Sequence, residues 1–328
     1  MVIKQKILKL FETSNELTIG EIVNKIQASK QMVHLVMKQL LYDNIVEKLG
    51  RTPKTIYRVI KNNGKKSDEL EFRISEKERD FLNNHFLMVT ETGDLLTGIE
   101  AFDYWCKKRK LLTSKTLAEF IETKKKYKSY YDKYQNINGA EKLRNTKGYD
   151  NIWLDEIFYL DFYAIERFGK TRLGTLLHYA KQGQNKFLMR IMMSEISNRI
   201  MQFIKLHRAD AIGFAPPTIR REVQLMKFIQ NDLRISLPVI EIKKIGGIIP
   251  VPQKSLSKLE ERIINAENTF AVTDKRKFKS VVLIDDAIGS GATLNQIAGK
   301  IKNKQVAKKV IGLAIVGSFK GFDVITDV

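Results

Sequence analysis

The stretch Val281-Val-Leu-Ile-Asp-Asp-Ala-Ile-Gly-Ser-Gly-Ala-Thr-Leu294 runs four apolar residues into two adjacent carboxylates and then into a turn of small residues. A short apolar run bounded by turn residues marks a strand buried on both faces, the kind found in a parallel sheet. Two carboxylates at the end of such a strand repel each other unless a cation or hydroxyl groups meet them. The Gly-Ser-Gly-Ala-Thr that follows opens a helical pattern, and a helix N-terminus reached through glycines presents backbone N–H groups to a phosphate. The stretch therefore joins a phosphate cradle to acids set beside hydroxyls, and a sugar phosphate satisfies both halves. A Walker-type loop would need GxxxxGK[ST], which the chain lacks.

Outward from this stretch the pattern repeats. Ala211–Phe214, Leu237–Ile242 and Val310–Val316 are further short apolar runs, and Ile157–Phe168 reads as a long strand or a strand pair. They alternate with helical patterns at Asn185–His207, Arg221–Asn231, Leu256–Ala266 and Ala292–Lys302. Strands alternating with helices predict an open, mostly parallel α/β sheet covered on both faces. Ligands of such sheets bind outside the carboxyl ends of the strands, which is where the opening stretch would lie.

With these residues in view, Val281–Thr293 resembles the phosphoribosyl-pyrophosphate (PRPP) motif of type I phosphoribosyltransferases: four apolar residues, two acids, a short variable spacer and a small Thr/Ser/Gly-rich loop. The resemblance implies that Asp285 and Asp286 contact the ribose 2′- and 3′-hydroxyls, and that they act on Mg²⁺ only indirectly, through the sugar. It further implies that Ala287, Gly289, Ser290, Gly291, Ala292 and Thr293 wrap the 5′-phosphate, with Ser290 and Thr293 as side-chain donors. Leu173-Gly-Thr-Leu-Leu-His-Tyr-Ala-Lys-Gln-Gly183 is similar to the helix and Lys-Tyr-Arg-Gly-like turn of the ComF-like subgroup. Ala215-Pro-Pro-Thr-Ile-Arg-Arg221 stands where that subgroup carries its proline- and arginine-containing loop, and Gln253–Arg262, Asn265 and Phe270 look like its Gln…Leu-Ser…Glu-Arg…Asn…Phe segment. In the family the first of these loops holds the pyrophosphate, which singles out Thr218, Arg220 and Arg221. Lys243, Lys244 and Lys254 flank a segment that is a mobile lid in the family. The loop departs from the usual small-residue turn in being Ala-Pro-Pro-Thr. The resemblance spans roughly residues 155–318.

The first sixty residues follow another pattern. Ile3–Phe11 reads as a short helix, Thr18-Ile-Gly-Glu21 is a capping box that starts a second, and Ser29 caps a third in which Val33, Val36, Met37, Leu40 and Leu41 recur at helical spacing. Ile45–Leu49 and Thr55–Ile60 read as strands around Gly50-Arg-Thr-Pro-Lys54. Three helices followed by a basic-tipped hairpin resemble a winged helix-turn-helix. On that reading Lys30, Gln31, His34 and Lys38 lie on the outer face of the recognition helix, and Arg51 and Lys54 at the wing tip reach backbone phosphate. Winged helices also serve as protein-docking modules. The chain's 57 Lys and Arg against 37 Asp and Glu, a net charge of +20, favour DNA or structured nucleic acid as the partner.

The expected architecture is a multi-domain α/β protein. A winged helix occupies 1–61, a basic helical linker region 62–150, and an open, mostly parallel phosphoribosyltransferase-like domain 151–328. Lys61–Asp68 is polar and glycine-containing, as a linker is. Lys124-Lys-Lys-Tyr-Lys-Ser-Tyr-Tyr-Asp-Lys-Tyr134 interleaves cations with tyrosines, a composition that stacks unpaired bases but more often packs on a neighbouring helix with the lysines solvated. The single cysteine, Cys106, excludes an intrachain disulfide and is expected to be ordinary packing. No apolar run is long enough to span a bilayer and no secretory leader is legible, so the expectation is a cytoplasmic protein. The four histidines are scattered, with no metal-ligand spacing.

Three functions are compatible with these features. One is a PRPP-dependent enzyme that displaces pyrophosphate with Mg²⁺ as cofactor and is tethered to nucleic acid. Another resembles the purine-operon repressors, which join a winged helix to a phosphoribosyltransferase fold that senses PRPP without turnover. The third is an accessory or effector subunit in a nucleoprotein complex, as in phage-defence retrons with their reverse transcriptases. A homodimer is expected by analogy.

Overall fold

The computed structural model describes residues 3–42, 45–51, 54–59, 74–145, 149, 151–217, 219, 221–245 and 269–318. The chain divides into two compact units, Met1–Glu71 and Phe72–Val328.

In the first unit, α1 (Ile3–Thr13), β1 (Glu16–Leu17), α2 (Ile19–Ile26), α3 (Lys30–Tyr42), β2 (Val46–Arg51) and β3 (Lys54–Val59) follow in order. The capping box predicted for α2 forms: the Thr18 hydroxyl accepts from Glu21 N–H while the Glu21 carboxylate accepts from Thr18 N–H. Ser29 caps α3 by accepting from Met32 N–H at 3.3 Å. The apolar stripes of the three helices meet in one core of Ile7, Phe11, Ile22, Val33, Met37 and Leu40, closed by Val46 and Tyr57 from the hairpin. The antiparallel sheet has the order β1-β3-β2. Its two-residue β1 has too few residues to show an alternation, and it forms because Glu16 and Leu17 pair with Arg58 and Tyr57.

The second unit begins with α4 (Glu76–His85), the hairpin β4 (Leu87–Val89) and β5 (Leu95–Thr97), α5 (Gly98–Lys108), α6 (Thr113–Lys128), β6 (Ile137–Asn138) and α7 (Ala140–Asn145). It continues through β7 (Glu156–Phe162), β8 (Ala164–Ile165), β9 (Gly169–Lys170), α8 (Arg172–Gln182), α9 (Lys186–Leu206), β10 (Ala211–Phe214), α10 (Leu225–Leu233) and β11 (Ile242–Lys244). It ends with β12 (Phe270–Val272), β13 (Phe278–Ile288), α11 (Ala292–Asn303) and β14 (Ala307–Gly317). The central sheet has the order β10-β13-β14-β7-β6, with β10, β13, β14 and β7 parallel and β6 antiparallel at the edge. Helices α8, α9 and α10 cover one face over Ile212, Val282, Ile284 and Leu313. On the other face, Leu294, Ile297 and Ile301 of α11 pack with Val281, Leu283 and Val310. Strands buried on both faces explain why these runs are continuously apolar.

Two expectations are corrected. The middle of the chain is not a helical linker standing apart, because it carries the β4–β5 hairpin and β6, the latter a strand of the central sheet. Its aromatic residues Phe86, Phe102, Trp105 and Phe120 build a cluster onto which Phe168 of the α/β segment packs, with ring centroids 5.0 Å from Phe120 and 5.8 Å from Trp105. Dense lysine concealed this, since α6 keeps Lys115, Lys125, Lys126 and Lys128 exposed while burying Leu117, Phe120 and Tyr127. The run Leu237–Ile242 is also shorter as a strand than its composition implies: Val239 makes a single parallel bridge to Ile212, and β11 follows from Ile242. The helix expected at Leu256–Ala266 lies outside the described residues. Cys106 is buried beside Trp105, and burial pushes its thiol up to about 11.

Candidate functional site

β13 lies between β10 and β14, and its residues Val281–Ile284 are buried. β10 ends where Phe214 pairs with Ile284, whereas β13 runs on beside β14 to the pairing of Ile288 with Gly317. The acid pair thus sits inside the last part of a strand that overhangs its neighbour. On the open side the chain leaving β10 takes over at once, with Ala215 N–H donating to the Ile284 carbonyl at 2.9 Å. The Ala215–Arg221 loop and the acids therefore share the carboxyl edge of the sheet.

Strand alternation sends successive side chains to opposite faces. Asp286 is 7% exposed and pairs with the Lys181 ammonium from the last turn of α8. Asp285 is half-buried, and its Oδ1 accepts from Asp286 N–H at 2.7 Å. Lys181 lies within the Leu173–Gly183 stretch, but nothing local in that stretch pairs it with Asp286. The same α8–α9 turn holds the β10 loop: the Gln182 Oε1 accepts from the Arg221 guanidinium at 3.0 Å, and the Gln184 Oε1 accepts from Val223 N–H at 2.8 Å.

Beyond Ile288 the chain turns through Gly289, Ser290 and Gly291 into α11. Gly291 caps that helix with φ +84°, a left-handed conformation that L side chains adopt only with strain. A Cβ there would also stand 3.1 Å from Leu143 Cδ1. Ser290 is 7% exposed; its hydroxyl accepts from Ala292 N–H at 3.3 Å, and its carbonyl accepts from the Tyr149 hydroxyl at 2.9 Å. Ala292 is buried, while Ala287 and Thr293, on β13 and the first turn of α11, are half-buried. That first turn holds no acidic side chain to oppose an anion at the positive end of the helix dipole. The turn is braced from behind by the fully buried Asn295, whose side chain accepts from Trp153 and Leu154 N–H and donates to the Asn151 carbonyl. Tyr149 and Asn295 escaped the sequence reading because their partners lie some 140 residues away.

Arg221 is half-buried at this edge, while Thr218 and Arg220 lie outside the described residues. Lys243 and Lys244 are on β11, which pairs with β12. Lys243 is exposed and bridges Glu241 at 2.7 Å, and Lys244 is half-buried. Lys254 and the Gln253–Asn265 segment lie outside the described residues; Phe270 is buried at the start of β12. After β12, Asp274 accepts from the Arg276 guanidinium and from Glu241 N–H. The hydrogen bonds from Arg276 hold its carboxyl down at about 2.

In the first unit, Lys30, Gln31, His34 and Lys38 are all exposed on α3, together with Met32 and Leu35. In the backbone register of β2 and β3, Arg51 stands opposite Lys54.

No protein-family model matches the chain, and no curated protein matches it. Among the described residues, no cluster of three or more His, Cys, Asp or Glu is arranged to hold a metal ion, and no helix is long and apolar enough to cross a membrane.

Proposed function

We propose that the second unit is a PRPP-binding domain of the type I phosphoribosyltransferase kind. We further propose that the first unit is a winged helix-turn-helix that brings it to DNA or structured nucleic acid. One observation carries the reading of the second unit: the overhang of β13 sets an acid pair, a glycine turn and a helix N-terminus with no acid in its first turn in unbroken succession at the carboxyl edge of a parallel sheet. That edge is where such sheets bind ligands.

In this reading the Gly289–Thr293 turn and the first N–H groups of α11 hold the 5′-phosphate. Asp285 and Asp286 accept hydrogen bonds from the ribose hydroxyls, and Arg221 offers a planar fork to the pyrophosphate. Asp286 exchanges Lys181 for the sugar, which frees an ammonium beside the bound anion. By the resemblance, Mg²⁺ would be held by the sugar hydroxyls and the pyrophosphate, with Asp285 and Asp286 acting on it only through the sugar, and it would supply charge neutralisation on the pyrophosphate. Reaction is displacement of pyrophosphate at C1 of the ribose by an incoming nucleophile, and the chain's residues contribute positioning and electrostatic stabilisation.

Calorimetry with PRPP and Mg²⁺ tests the binding. The Asp285→Asn/Asp286→Asn variant is expected to lose about tenfold or more in affinity, since hydrogen bonds to charged acceptors are lost. Equal affinity in both proteins would overturn the reading. A second reading is a PRPP-responsive regulator without turnover, favoured by the recognition-like face of α3. Pyrophosphate release in the presence of candidate acceptors separates the two.

A further inference from the structure

A second site lies away from the acid pair, where the middle of the chain meets the α/β sheet. A cavity of about 150 Å³ opens there, lined among others by His85 at the end of α4, Lys124 on α6, Asp161 on β7, Arg172 at the start of α8, and Glu195 and Arg199 on α9. Arg172 and Lys181 stand at opposite ends of α8, about 14 Å apart at the rise of an α-helix, so this cavity is distinct from the site at β13.

Several polar groups around it are left over. One guanidinium nitrogen of Arg199 donates to the Gln135 and Leu160 carbonyls, but its Nε–H is buried with no partner. A buried donor without an acceptor is costly and calls for a ligand or water. Lys124 is half-buried and makes no hydrogen bond or ion pair among the described residues, whereas its neighbours Lys125 and Lys126 pair with Glu122 and Glu166. The Asp161 carboxylate takes the Tyr131 hydroxyl and Phe162 N–H on the same oxygen, Oδ1. Glu195 likewise takes both of its bonds from Arg172 on Oε1. Each carboxylate keeps a second oxygen without a bond among the described residues.

The charges decide what fits. Arg172 and Glu195 close on each other, which leaves Lys124 and Arg199 against Asp161, a surplus of one positive charge. His85 adds none: burial and the nearby Lys124 lower its pKa, and its Nδ1 is bonded to the Phe81 carbonyl. A single negative charge restores neutrality, whereas a dianionic phosphate would exceed it and stand against Asp161 and Glu195. The two spare carboxylate oxygens call for a hydrogen-bond donor on the same molecule. A cavity of this volume holds a ligand of about six heavy atoms, the size of benzene.

We propose that this cavity binds a small hydroxy-monocarboxylate. The carboxylate is received by Lys124 and the Arg199 guanidinium, which line the cavity, and the hydroxyl donates to Asp161 or Glu195. Calorimetry on the full chain with lactate, propionate and inorganic phosphate tests it. Lactate is expected to bind saturably with a Kd of about 1 mM, near the range open to so few atoms. Propionate, which lacks the donor, binds about fivefold or more weakly, and phosphate more weakly than lactate. Lys124→Met weakens lactate about tenfold or more while Lys124→Arg retains it. Because Lys124 is half-exposed, both variants are expected to keep the wild-type thermal midpoint. The proposal is overturned if lactate fails to saturate, if phosphate binds tighter, if propionate binds as well as lactate, or if Lys124→Met binds lactate like wild type.

Discussion

Lys181 and Asp286 form an ion pair across 105 residues of chain, with their side chains 20% and 9% exposed. The pair ties the last turn of α8 to the overhanging end of β13. It also supplies the cation that two adjacent carboxylates require.

Removing the ammonium strands a nearly buried charge. Lys181→Met is expected to lower stability by about 3 kcal/mol, the loss typical when one partner of a buried pair is deleted. Adding Asp286→Asn removes the stranded charge, so the double variant should be more stable than the sum of the single losses by about 1–3 kcal/mol. Urea denaturation of the four proteins measures the coupling, and strict additivity would show that the pair contributes nothing.

Gly291 is the cap residue between β13 and α11. Gly291→Ala places a Cβ in the left-handed region at φ +84° and against Leu143. The expected cost is about 1–2 kcal/mol, read from the denaturation midpoint, together with weaker PRPP binding. Thr293→Ala, at a half-buried position with ordinary helical geometry, should weaken PRPP while leaving the midpoint nearly unchanged.

Stability should fall on mild acidification. Burial lowers the pKa of both His85 and His207 below the ordinary value near 6.5. In the window just below 6.5 the unfolded chain therefore binds more protons than the folded one, and stability drops as pH decreases through that window. His85→Gln is expected to flatten the decline between pH 7 and 5, measured as the thermal midpoint against pH. A slope identical to wild type would exclude His85 from it.

The outer face of α3 makes a separate prediction. If Lys30 and Lys38 contact phosphates, Lys30→Ala/Lys38→Ala should reduce the slope of log affinity against log salt by about 2. A salt dependence that does not change would point to a protein-docking face, for which the exposed Met32 and Leu35 supply apolar area.

Much of the architecture is local and was therefore readable along the chain. The Thr18–Glu21 box and the Ser29 cap are contacts within one turn, and side chains three residues apart on a helix start must meet whatever the rest does. The apolar runs at Val281–Ile284 and Val310–Val316 announced strands covered on both faces, since only two-sided burial tolerates such continuity. The order of acids, glycines and helix in Val281–Leu294 likewise survives folding, because consecutive residues of a strand, turn and helix cannot separate.

Folding alone decided everything that depends on distant partners. The packing of Trp105 and Phe120 on Phe168 made the lysine-rich middle of the chain part of the α/β unit, because aromatic area is buried wherever a complementary face arrives, independent of local charge. The Arg221–Gln182 bond, the Tyr149 and Asn295 braces of the turn and the Lys181–Asp286 pair each join segments that only the crossover order of the sheet brings together. Local sequence carries the chemistry of each group, but which groups share a desolvated space follows from strand order and helix placement. That is why the acid pair was legible and its ammonium partner was not.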